Sequence, residues 1–116
     1  MKPERLAVIG VGLIGVRHAE LIRAHELYSL VGLCDVDPSR RAVADRFGVP
    51  FYRSVEELIE REQPSGVIFA TSNATHAAVA EICAQRSVHL LIEKPIASTL
   101  DQARRIVETA RKCRGL

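Results

Sequence analysis

The stretch "AVIGVGLIGVRHAELI", residues 7–22, decides the fold of this chain. "AVIG" closes an apolar run of strand length, and the residues after Gly12 carry apolar side chains at helical spacing. Between them, Gly10-x-Gly12-x-x-Gly15 turns the chain out of the strand and into the helix. The same alternation then repeats to the end. "LAVIG" (6–10), "LVGLCD" (30–35), "VPFY" (49–52), "GVIFAT" (66–71) and "VHLLIE" (88–93) read as strands, the third short and weak.

The helices between them have recognisable starts. Asp37-Pro38 supplies an N-cap and a first-turn proline. Ser54-Val-Glu-Glu57 and Thr99-Leu-Asp-Gln102 have the form of capping boxes. The last helix sets Leu100, Ala103, Val107 and Ala110 along one face. Strands and helices that alternate without hairpin signals make a parallel sheet covered on both faces. The expected architecture is a doubly wound α/β Rossmann sheet of five strands in the order 3-2-1-4-5. Residues 1–116 form one domain, and a sixth strand is expected to begin where "RKCRGL" reaches Gly115-Leu116.

Composition narrows the functional classes. Hydrophobic residues make up 47% and charged residues 26%, the balance of a water-soluble globular domain. A net charge of +2, with scattered arginines, is too small to imply nucleic acid or an anionic membrane as partner. No apolar run approaches the ~20 residues needed to span a bilayer. Cys34, Cys83 and Cys113 lie far apart with no CxxC pair, which argues against a disulfide framework or a metal site. "MKPERLAVIG" runs straight into a glycine turn and is not a signal peptide, so the expected location is cytoplasmic.

Each glycine of the turn has a physical task in a dinucleotide-binding reading. Gly10 makes the tight turn, Gly12 lets the backbone approach a pyrophosphate, and Gly15 lets helix and strand pack closely. Phosphates would then sit at the positive end of the helix dipole, against free backbone N–H groups and alongside Leu13 and Ile14. The second strand ends on an acid, Asp35, 20 residues after Gly15. A carboxylate there accepts hydrogen bonds from the adenosine ribose and repels a 2′-phosphate, which favours NAD. Arg40 and Arg41, just beyond, could meet such a phosphate and leave NADP open. His18 reads as a packed or partly exposed helix residue.

"GVGLIGVRH", "LCDVDPSR", "ATSNATHAAVA" and "LIEKPIAST" stand in the order and spacing of the Gfo/Idh/MocA oxidoreductases. The chain resembles the N-terminal cofactor domain of that family along essentially its whole length. The resemblance implies that Thr71, Ser72 and Asn73 lie along the cofactor beyond its pyrophosphate, with His76 nearby. Ser72 replaces the family's usual proline, which should loosen that loop slightly. Glu93 and Lys94 would flank the nicotinamide, the lysine assisting proton transfer at a substrate hydroxyl while hydride passes to or from the ring. It also implies a sugar, cyclitol or related hydroxyl or carbonyl substrate, held by a second domain that these residues do not include.

The residues themselves agree with part of this. A lysine at the carboxyl end of a parallel strand points into the crevice where open α/β sheets bind ligands. Partial burial there would suit Lys94 to acid–base chemistry near neutral pH. Pro95 fixes the following turn, and the Lys94–Pro95 bond is a candidate cis peptide. Alternatively, Lys94 is a solvent-exposed charge paired with Glu93. His76 falls at the start of the fourth helix, either as a capping residue or as a neutral imidazole orienting a ligand. A regulatory NAD-sensing module is the alternative function, since fold alone does not separate it from an enzyme. The open edge of the fifth strand predicts a homo-oligomer.

Overall fold

The computed structural model describes residues 2–71, 76–94, 97 and 99–112. β1 (Glu4–Ile9) passes through the glycine turn into α1 (Leu13–Ala24). β2 (Tyr28–Cys34), a 3-10 turn (Pro38–Arg40), α2 (Arg41–Phe47), β3 (Phe51–Tyr52) and α3 (Val55–Glu62) follow. β4 (Gly66–Phe69), α4 (His76–Gln85), β5 (His89–Ile92) and α5 (Leu100–Lys112) complete the described chain. The strands form one parallel sheet in the order β3-β2-β1-β4-β5, as the sequence predicts. Strand order reverses between β1 and β4, and their carboxyl ends therefore flank the crevice where such sheets take ligands.

Strand alternation divides the core between the two faces. Ala7, Ile9, Val67 and Phe69 point to the side closed by Leu58 of α3, Cys83 of α4 and Ile106 of α5. Val8 and Ile68 point the other way, against Ala19 and Ile22 of α1 and Val43 of α2. The helix starts also follow the local signals. Asp37 accepts a hydrogen bond from the Ser39 N–H at 2.9 Å, and that bond holds its carboxyl below the usual carboxylate range. Ser54 Oγ accepts from the Glu57 N–H at 3.3 Å, and Thr99 Oγ1 from the Gln102 N–H at 3.2 Å. The Glu57 side chain reaches forward to Arg61, 3.5 Å away, an i,i+4 pair.

Coverage of the sheet is less complete than expected. α1 packs over β1, β2 and β4, which leaves the same face of β5 open. Leu91 is 58% exposed as a result, while Leu90 and Ile92 are partly buried on the opposite face. The gap beside α1 is an apolar cavity of about 520 Å³, lined by Leu6, Leu21, Ile22, Tyr28, Ile68 and Leu91 among others. It lies off the carboxyl ends of the strands.

The buried stripe of α5 also differs from the expected one. α5 packs on α4 through Ile106, which is fully enclosed, with Ala103 and Ala110 half-buried. Arg105 Nε donates to Glu81 Oε1 across the same seam at 2.8 Å. Ile106 facing inward turns its neighbour Val107 about 100° away, and both Val107 and Leu100 are exposed. Pro95, Cys113 and the expected start of a sixth strand at Gly115-Leu116 lie outside the described residues.

Candidate functional site

The glycine turn is held between the ends of its neighbouring strands. The Gly10 N–H donates to the Cys34 carbonyl at 2.7 Å, and the Ala70 N–H to the Ile9 carbonyl at 2.8 Å. Gly10 has φ +90°, and a Cβ there would stand 2.7 Å from the Ala70 carbonyl carbon. Only glycine meets both demands without strain. A Cβ on Gly15 would lie 1.8 Å from the Gly10 carbonyl oxygen, because the first turn of α1 rests directly on the loop.

Gly12 is different. Its backbone is extended, and among the described residues no side chain caps the helix here and a Cβ would meet nothing within 4 Å. The first N–H groups of a helix have no intrahelical acceptor and carry the positive end of its dipole. Such an end suits an anion. Leu13 and Ile14 flank it as exposed apolar side chains, 89% and 54% accessible.

Asp35 faces this loop from the end of β2. Its Oδ2 accepts from the buried Val11 N–H at 2.8 Å, and its Oδ1 from the Asp37 N–H at 2.9 Å. Each oxygen keeps a further lone pair for a ligand hydroxyl. A crevice of about 380 Å³ brings together Gly10, Gly12, Asp35, Val36, Arg53 and Thr71. Behind it, burial and then the Asp35 charge push the Cys34 thiol up to about 12, so it stays protonated and inert. Cys83 is likewise pushed up to about 12 by burial.

Arg53 went unnoticed in the sequence. It follows directly on β3 at the carboxyl edge of the sheet, and its guanidinium donates to the Val36 carbonyl at 3.1 Å. That position, one residue past a short strand, was the available signal. Arg40, the expected phosphate partner, stands exposed on the 3-10 turn, and it does not line the crevice. The Arg41 guanidinium sits 5.2 Å above the Phe51 ring, drawn there by its π face.

On the far side of the crevice, His76 is buried in the first turn of α4. Its Nε2–H donates to the Thr71 carbonyl at 3.2 Å, which braces the end of the loop after β4. Ser72 and Asn73 lie outside the described residues. Beyond β5, the Glu93 N–H donates to the Phe69 carbonyl at 3.0 Å. The Glu93 carboxylate accepts from His18 Nε2 at 2.5 Å.

The His18 hydrogen bond is the main reason the Glu93 carboxyl lies below its ordinary range. A depressed carboxylate favours the folded state above the ordinary carboxylate pKa and loses that contribution as pH falls through the lowered value. Lys94 is exposed, contrary to the partial burial expected. The Glu93 carboxylate is engaged by His18.

Among the described residues, no group of three or more His, Cys, Asp or Glu side chains could hold a metal ion. No described helix is long and apolar enough to cross a membrane.

Comparison with known proteins places this geometry. The chain is 33% identical over 110 residues to the myo-inositol 2-dehydrogenase of Thermotoga maritima, covering 93% of this chain and 33% of that enzyme. It is 35% identical over 103 residues to the D-apiose dehydrogenase of Paraburkholderia graminis, covering 87% of this chain and 28% of the relative. The crystal structure of GenD2 from gentamicin A biosynthesis, in complex with NAD, superposes with a TM-score of 0.89 at 27% identity. That match covers 97% of this chain and 32% of GenD2. The chain thus spans about a third of the length of these relatives. Residues 4–115 match the family described as "Oxidoreductase family, NAD-binding Rossmann fold", with the glycine turn, Asp35 and the strand end at Glu93-Lys94 inside the matched span. By sequence and fold together, the chain belongs to the Gfo/Idh/MocA oxidoreductase family.

Proposed function

We propose that this chain is the cofactor-binding domain of an NAD-dependent oxidoreductase acting on a sugar, cyclitol or related hydroxyl or carbonyl compound. The observation that carries the reading is the open ground at Gly12, facing the head of α1 with Asp35 across the crevice. The pyrophosphate rests on the N–H groups at Gly12, Leu13 and Ile14. The adenosine ribose hydroxyls bond to Asp35, which disfavours the 2′-phosphate of NADP. Thr71, Ser72, Asn73 and His76 line the path toward the nicotinamide, and Glu93 and Lys94 flank the ring. When bound, the nicotinamide supplies hydride transfer, and Lys94 moves the proton at the substrate hydroxyl. Residues outside this chain hold the substrate, which accords with the threefold greater length of the relatives.

The chain has no tryptophan, so the fluorescence of NADH itself reports binding. Titration with NADH should saturate, and no change up to millimolar concentrations would sink the reading. Asp35→Ala should weaken NADH binding by about 10- to 100-fold, the worth of a charge-assisted hydrogen bond. The same change leaves the buried Val11 N–H without its acceptor and should lower stability by about 1–3 kcal/mol. If the unaltered chain prefers NADPH, Asp35 does not set the preference.

A cytoplasmic location fits the buried, unpaired Cys34 and Cys83 thiols. Self-association fits the exposed Leu91 on the edge strand β5. Light scattering should show the apparent mass rising with concentration, and a constant monomer mass would remove this part of the proposal.

A further inference from the structure

We propose that His18 is a positioning residue for the nicotinamide end of the crevice: by holding the Glu93 carboxylate from α1, it sets where Lys94 stands. The inference rests on the cofactor reading above. His18 and Glu93 are 75 residues apart and belong to elements that frame opposite ends of the site. α1 opens on the glycine turn, while Glu93 and Lys94 follow directly on β5.

A continuous set of bonds connects them. The Glu93 backbone is tied to β4 through the Phe69 carbonyl, and its side chain is tied to α1 through His18 Nε2 at 2.5 Å. Lys94 follows Glu93 directly in the chain, so the lysine's backbone leaves from a residue held on both sides. Moving α1 therefore moves Lys94. An anion seated at the head of α1 and the proton-transfer group at the end of β5 share one rigid connection.

The side chains are 20% and 36% exposed, so the bond is partly shielded from solvent without belonging to the core.

ADP-ribose, which shares every part of NADH except the nicotinamide ring, separates the two ends. For the 116-residue chain, His18→Ala should leave ADP-ribose affinity within about twofold and weaken NADH about fivefold, the scale of one modest hydrogen bond. The Lys94 amide resonance should shift in His18→Ala and return in His18→Gln, whose side-chain N–H can still donate to Glu93. Glu93→Gln tests the same bond from the other side and should shift that resonance too.

A parallel fall in both affinities would assign His18 a merely structural role and overturn the proposal. An unmoved Lys94 resonance, or equal NADH and ADP-ribose affinities in the unaltered chain, would overturn it as well. Failure of the unaltered chain to bind ADP-ribose at all would instead sink the cofactor reading.

Discussion

Alanine at Gly15 should cost this fold about 3 kcal/mol or more, whereas alanine at Gly12 should cost less than about 1 kcal/mol and yet abolish tight NADH binding. The two glycines are three residues apart in one motif, and the structure separates what each is for. A Cβ on Gly15 falls 1.8 Å from the Gly10 carbonyl oxygen. That oxygen cannot retreat, since the Gly10 N–H is bonded to β2 and its Cα packs against the Ala70 carbonyl of the segment after β4. Relief requires α1 to lift from the sheet, pulling Ala19 and Ile22 out of the core. Against a total stability of about 5–15 kcal/mol, that loss should be plain in urea unfolding followed by circular dichroism. A Cβ on Gly12 meets nothing within 4 Å among the described residues beyond its chain neighbours, in a backbone conformation open to any residue. The methyl would instead occupy the ground proposed for the pyrophosphate. Binding should fall at least tenfold in Gly12→Ala with the unfolding midpoint nearly unchanged. Wild-type NADH affinity in Gly12→Ala would place the phosphates elsewhere, and an unshifted midpoint in Gly15→Ala would contradict the packing of α1.

The contrast between these glycines marks what was legible in the sequence. The turn and the caps at Asp37, Ser54 and Thr99 depend on residues within a few positions of one another, and the structure agrees with each; the strand order follows instead from the repeated strand–helix alternation. The readings that failed involved contacts between distant segments. Nothing in "VHLLIE" says that α1 stops short of β5, so the exposure of Leu91 could not be foreseen. Periodicity gave α5 an apolar stripe, but the approach of α4 selected Ile106 over Val107. In the site, the Asp35 spacing was local, while the bond from its carboxylate to the Val11 N–H was not. His18 is a partly exposed helix residue, as its sequence reads, but its bond to Glu93 is not legible there because the partner lies 75 positions away.

Lys94→Ala should lower turnover by about 10²- to 10⁴-fold in the longer polypeptide that the proposed function requires, the usual contribution of one positioned proton-transfer group. NADH affinity should change by less than about tenfold, since the phosphates and ribose are held elsewhere. The 116-residue chain alone should bind NADH and show no measurable turnover on a panel of polyols and sugars. Its Lys94 is exposed just past the end of β5. Holding a substrate carbon against the nicotinamide is a separate contribution, worth up to about 7–11 kcal/mol in well-oriented systems. A proton-transfer group without that positioning acts on a substrate that is rarely in place. The relatives run to about three times this length, and the proposal puts the far wall of the crevice in the added part. Robust NADH production by the 116-residue chain would show that these residues hold substrate unaided. Activity of the longer polypeptide left untouched by Lys94→Ala would move the proton transfer to another group.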